Sequence, residues 1–169
     1  MKLETFKNVV HTDRLLRLAD LLEDDALKPD GVRFDLGTWV TPSGSNHYLS
    51  KPASIPVDCN TSACAIGLAC ISGEFAKYGL TYFFRPMDAF SQSSGLLPAL
   101  EQNGDVFTAF DAVEVLFNIG HNDALYLFDP DYYPLEKRRG SVAELYVAER
   151  IREFLQGRID RAYHPSTQL

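Results

Sequence analysis

Thr108-Ala109-Phe110-Asp111-Ala112-Val113-Glu114-Val115-Leu116-Phe117-Asn118-Ile119 is the stretch on which the reading of the fold turns. As a helix from Thr108 to Asn118, it carries apolar groups nearly all round, at Phe110, Ala112, Val113, Val115, Leu116, Phe117 and Ile119. A helix without a polar face belongs inside a core, so other elements must cover it. Thr108 with Asp111 three positions on has the chemistry of a helix start, in a weaker form than the usual Glu or Gln pairing.

The covering helices are legible on both sides. Upstream, Thr12 reads as the cap of a helix to about Asp25, with Leu15, Leu16, Leu18, Ala19 and Leu22 on one stripe. Lys28-Pro29-Asp30-Gly31 stops it. Asp58-Cys59-Asn60-Thr61 has capping chemistry for a short buried helix from Ser62 to Ile71, whose small residues allow another helix to approach closely. Gly73 and Gly79 bracket a short helical turn around Phe75. Downstream, a turn at Asn118 to His121 leads to a short helix, Asn122 to Phe128, broken by Asp129-Pro130-Asp131. Ser141-Val142-Ala143-Glu144 is a capping box opening a last helix to about Gly157, with Val147, Ala148, Ile151, Phe154 and Leu155 on its buried face.

Strand signals are fewer. Arg33 to Val40 alternates enough for a short strand or extended arm. Leu80-Thr81-Tyr82-Phe83-Phe84 is strand-like, and its nearest candidate partner is Val106-Phe107. Ser91 to Gly104 carries no clear signal. The expectation is a mainly α single domain over residues 1–169, with about five helices and one small β-hairpin at most. It has a long loop at 41–58 and a flexible tail at 162–169.

Composition limits function. The 169 residues suffice for one core, and 46% hydrophobic against 23% charged is an ordinary globular balance. No run approaches the roughly 20 apolar residues of a membrane span, and Met1 to Lys7 lacks a signal peptide's apolar core. The expected setting is therefore cytoplasmic, and three cysteines fit reduced thiols there. The net charge is −7, and between Pro86 and Glu136 nine acids occur without a single Lys or Arg. Nucleic acid would be repelled by that face. The basic cluster of Lys137, Arg138, Arg139, Arg150, Arg152, Arg158 and Arg161 leaves weak nucleic-acid binding as an alternative. Interleaved Glu144, Glu149, Glu153 and Asp160 offer those arginines ion pairs on the helix surface instead.

Chemistry, if the chain has any, would gather between Cys59 and Cys70. Cys64 falls in the first turn of its helix, where a thiolate is favoured, and would act as a nucleophile with His47 or His121 as base. The alternative is a small thiol packed into a helix crossing. The spacing Cys59-x4-Cys64-x5-Cys70 is not that of a structural zinc site, so a metal would have to use Cys59 and Cys64 with His47 or His121. A Cys59–Cys64 disulfide is a further option. Asp129 and Asp131 lack the spacing of a calcium loop, and the helices from Thr108 and Asn122 lack the basic residues of a DNA-reading pair. No phosphate-cradling glycine loop, metalloprotease histidine pair or serine nucleophile elbow occurs, and no cofactor is expected.

Cys59-Asn60-Thr61-Ser62-Ala63-Cys64-Ala65-Ile66-Gly67 resembles a Cys-Gly-Thr-x-x-Cys-x-x-Gly pattern in a group of short bacterial and tailed-phage proteins with no assigned activity. In that group the pattern follows an aromatic arm, here Phe34 to Trp39. Phe117-Asn118-Ile119, Ala124 to Phe128 and Val147-Ala148-Glu149-Arg150-Ile151 are similar to its later blocks. The resemblance covers about half of the chain in scattered pieces. Asn60 and Asn118 stand where the group has glycine, and asparagine tolerates the left-handed backbone best among side-chain-bearing residues. The expected role is a non-enzymatic accessory or regulatory protein that binds another protein or itself. The competing class is a thiol-dependent enzyme or redox sensor using Cys64.

Overall fold

The computed structural model describes residues 10–41, 61–85 and 95–163. Among them are five α-helices and a six-stranded mixed sheet. The helical reading stands, and the sheet is the correction: it is far larger than one hairpin. Its strands are β1 (Arg33–Phe34), β2 (Val40–Thr41), β3 (Ser62–Ala63), β4 (Leu80–Arg85), β5 (Gly95–Gln102) and β6 (Asp105–Thr108). They run in the order β1-β3-β2-β5-β4, with β6 also paired to β5. Only β1 and β3 are parallel.

The partner expected for Leu80 to Phe84 was wrong. β4 pairs along its length with β5, from Leu80 opposite Leu100 to Arg85 opposite Gly95. β5 then turns at Asn103 and Gly104, both at positive φ, into β6. That pair of left-handed residues is the preferred connection of a tight hairpin. Pro98 lies inside β5 without breaking it. On that flank β2 reaches β5 only at Leu96 and β6 begins at Ala99, so no partner there needs the N–H that Pro98 lacks. Arg33 to Thr41 likewise forms two strands of two residues around a turn.

The helices are α1 (Thr12–Ala26), α2 (Ala65–Ser72), α3 (Ala109–Phe117), α4 (His121–Phe128) and α5 (Gly140–Tyr163). Val113, Leu116 and Phe117 of α3 are fully buried, as an all-round apolar helix requires. They sit in one core with Leu15, Leu18 and Leu22 of α1, Ile66 of α2 and Val147 and Ile151 of α5. Asn118 ends α3 in the left-handed conformation, φ 50°, which asparagine tolerates better than most side-chain-bearing residues. Asn60, Cys59, His47 and most of the 41–58 segment lie outside the described residues.

Three helix starts differ from expectation. α1 is capped by His11, and neither it nor Thr108 before α3 makes a side-chain cap bond. α2 begins three residues late, because Ser62 and Ala63 are taken by the sheet. α5 begins at Gly140 and runs past Gly157 to Tyr163, into the stretch expected as tail. Glu144 is the fifth residue of that helix, two positions beyond the place a capping box would need, and it is turned inward and buried. Two of the C-terminal arginines, Arg150 and Arg152, find partners other than those expected on their own helix. Arg152 reaches Asp20 and Glu23 of α1 at 2.7 and 2.9 Å. Arg150 lies 3.8 Å from the Tyr133 ring centre and donates to the carbonyls of Tyr126 and Tyr132. No described helix is long and apolar enough to cross a membrane.

Candidate functional site

Cys64 is the N-cap of α2. Its sulfur accepts the Gly67 N–H at 3.4 Å, the job a serine or aspartate oxygen does at other helix starts. The thiol is 3% exposed, and burial pushes it up to about 11, with the Gly67 amide pulling the other way. At neutral pH it is a protonated thiol, the weaker nucleophile. Burial pushes Cys70 up as well, and its Sγ–H points at the Thr81 carbonyl, 3.2 Å away. Both are free thiols. His121 is exposed at the start of α4 with Nδ1 2.6 Å from Glu114 Oε1, and among the described residues no hydrogen bond joins it to Cys64. Among the described residues no three His, Cys, Asp or Glu gather as metal ligands.

The Cys64-x-x-Gly67 pattern has a different consequence. A Cβ on Gly67 would lie 1.6 Å from the Trp39 carbonyl oxygen, so only glycine lets β2 cross α2 at this distance. The Cys64 N–H sits 2.9 Å from the Thr38 carbonyl and 3.3 Å from that of Trp39. The cap residue and the glycine together clamp the aromatic arm, and Trp39 is thereby presented to α3. Its ring meets Phe110 edge-on, with centres 5.2 Å apart.

Behind this pair opens a groove of about 190 Å³, lined by Leu36, Trp39, Phe110, Phe128 and Pro130 with Gly37 and Thr38. Leu36 and Phe128 are buried and Phe128 stacks on Phe117, so the lining rests on the core. Asp111 follows Phe110 in the chain, and Asp129 and Asp131 flank Pro130. The groove is apolar inside, and its chain neighbours include Asp111 and Asp129 as well as Asp131, which lies 3.8 Å from Arg138.

A second, larger cavity of about 330 Å³ lies where the end of α1 meets the start of α5. Its lining includes Asp25 and Glu144, which are 6% and 2% exposed. Asp25 Oδ2 accepts the Val32 N–H at 3.1 Å, and Oδ1 lies 3.6 Å from Lys28 Nζ. Glu144 Oε1 has no hydrogen-bond partner among the described residues. Burial and then the neighbouring Asp25 push the Glu144 carboxyl up to about 8, against the pull of Lys28.

Sequence reasoning singled out the aromatic arm but not its groove, and it assigned Glu144 to helix capping. A carboxylate at an inward position of the last helix was the available signal, since Ala143 and Val147 beside it are core residues. Set against models of protein families, the curated proteins and the solved structures, the chain matches none.

Proposed function

We propose that this chain is a non-enzymatic accessory or regulatory protein that binds another protein, and that the groove at Trp39 and Phe110 is where it does so. Its kinship with the short bacterial and phage proteins bearing the Cys-x-x-Gly pattern is part of the same proposal. The observation that carries the reading is an apolar slot with two half-buried rings, Trp39 and Phe110, one side of which (Phe110, Phe128 and Pro130) comes from the stretch that has no Lys or Arg. Aromatic anchors of this kind dominate protein interfaces, and charge around them selects the partner and speeds its approach. The occupant that fits is a basic segment of another protein offering one apolar side chain.

The test uses the single tryptophan of the chain, which lines the groove, as its reporter. Two short peptides are compared, one leucine flanked by lysines and one leucine flanked by glutamates. The lysine peptide should change Trp39 fluorescence, weaken with salt, and lose its effect in Phe110→Ala. Equal response to both peptides, or to neither, would overturn the reading. A dimer by native mass spectrometry that Phe110→Ala dissolves would assign the groove to self-association instead.

A further inference from the structure

The cavity between α1 and α5 holds more polar chemistry than a structural seam requires. Of its charged lining groups, Asp25 is held by Lys28 and the Val32 amide, and Asp35 by Arg139 at 3.1 Å. Two groups are left over. Glu144 Oε1 is buried without a partner, and the Arg33 guanidinium, exposed at the mouth, makes no hydrogen bond or ion pair among the described residues. A buried carboxyl without a partner is costly, and evolution has had the option of a glutamine or leucine there. The cavity is of the size that encloses a small molecule.

The two helix ends set a polarity across it. The closing turn of α1, with Ala26 and the Asp25 carboxyl, favours a positive group. The opening turn of α5, with Gly140 and Ser141, favours a negative one, as do Arg33 and Arg139 beside it. We propose that this cavity is a binding site for a small zwitterion of the amino-acid type, its ammonium against Glu144 and Asp25 and its carboxylate against Arg33.

Binding should move one proton. The charged groups that line the cavity with Glu144 are Asp25 and Lys28 at the end of α1, Arg33 and Asp35 at β1, and Arg139 at the start of α5, and of these Asp25 and Lys28 act on its carboxyl. At neutral pH the Glu144 carboxyl is mostly protonated, with its midpoint at about 8. An ammonium arrives already carrying its own proton, so Glu144 ionises as the ion pair forms and its proton goes to solvent.

The experiment is isothermal titration at neutral pH in PIPES and in MOPS, bulky tertiary-amine sulfonates whose ionisation enthalpies differ. The probes are β-alanine, n-propylamine and propionate. β-Alanine should bind about tenfold more tightly than either fragment, with a buffer-dependent heat that reports proton release. Glu144→Gln should abolish the release and weaken β-alanine by about tenfold, and Arg33→Gln should bring β-alanine down to the level of n-propylamine. No heat from β-alanine at millimolar concentrations overturns the proposal. So does propionate binding as well as β-alanine, or binding without proton release. Should Glu144→Gln fail to fold, the two-buffer measurement on the unaltered protein and the exposed Arg33→Gln variant still decide it. Phe110→Ala should leave all of these heats unchanged, which separates this site from the groove.

Discussion

Replacing Gly67 with alanine probes how the aromatic arm is held. In a helix this exchange ordinarily stabilises by about 1 kcal/mol. Here the new methyl would start 1.6 Å from the Trp39 carbonyl oxygen and 2.9 Å from Val40 Cγ2, whereas ordinary contacts begin at 3.4 Å. β2 must therefore retreat by nearly 2 Å, close to the difference between 3.4 and 1.6 Å. That retreat breaks the bond that the single Cys64 N–H shares between Thr38 and Trp39, about 1 kcal/mol, and the Trp39–Phe110 pair, about 1 kcal/mol more. The small cluster of Val40, Ala63 and Leu96 loosens too, at about 1 kcal/mol. Set against the helical gain, the net loss is about 2 kcal/mol. With a urea dependence of about 2 kcal/mol per molar, the unfolding midpoint should fall by about 1 M, followed by Trp39 fluorescence. Gly157→Ala is the control: its methyl meets nothing within 4 Å and should stabilise by about 0.5–1 kcal/mol. A Gly67→Ala protein as stable as its parent, with unaltered Trp39 emission, would refute the clamp.

Three further outcomes are expected. Ala109 joins β6 directly to α3 at φ 53°, a conformation costly to any residue with a Cβ, so Ala109→Gly should raise stability by about 0.5–1 kcal/mol in the same assay; a loss would mean the junction is not strained. Glu144 has its folded midpoint raised from 4.5 to about 8, so its contribution is complete below 4.5 and is lost as pH rises through 8. Relative to Glu144→Gln, the parent should therefore lose on the order of 4 kcal/mol between pH 5 and pH 9, and parallel stability curves would contradict the buried neutral carboxyl. Cys64→Ala should cost about 1 kcal/mol through the lost cap and Cys64→Ser less, while Cys64 and Cys70 in the unaltered protein should react with thiol reagents only as the fold opens. Rapid labelling of Cys64 in the native protein would revive its reading as a nucleophile.

The helices were legible because their signals are local. The stripe of Leu15, Leu18 and Leu22, and the all-round apolar surface of α3, repeat over several turns. The sheet was not, because β1, β2 and β3 are two residues each, too short to show alternation. β5 was hidden by Pro98, which ordinarily argues against a strand and is tolerated only at a break in the pairing that no local pattern reveals. Its hairpin was legible in Asn103-Gly104, a turn signal passed over in a stretch read as featureless. The Cys64–Gly67 segment was noticed for its thiol, but the meaning of its glycine depends on Trp39, which only folding brings there. Asp25 and Glu144 each looked like parts of a helix end, and their shared cavity exists only once α1 and α5 have met.

That meeting sets the order in which the protein can be made. Arg152 bonds Asp20 across 132 positions of chain, and Leu15, Leu18 and Leu22 share a core with Val147 and Ile151. At roughly 5–20 residues per second, α1 waits on the order of ten seconds at the ribosome before α5 emerges to cover it. During that interval its leucine stripe is exposed to water and to any chaperone that recognises such a surface. A release before α5 is synthesised would leave α2, α3 and the sheet without one wall of their core. Completion of the last helix is therefore the event that commits the nascent chain to its fold.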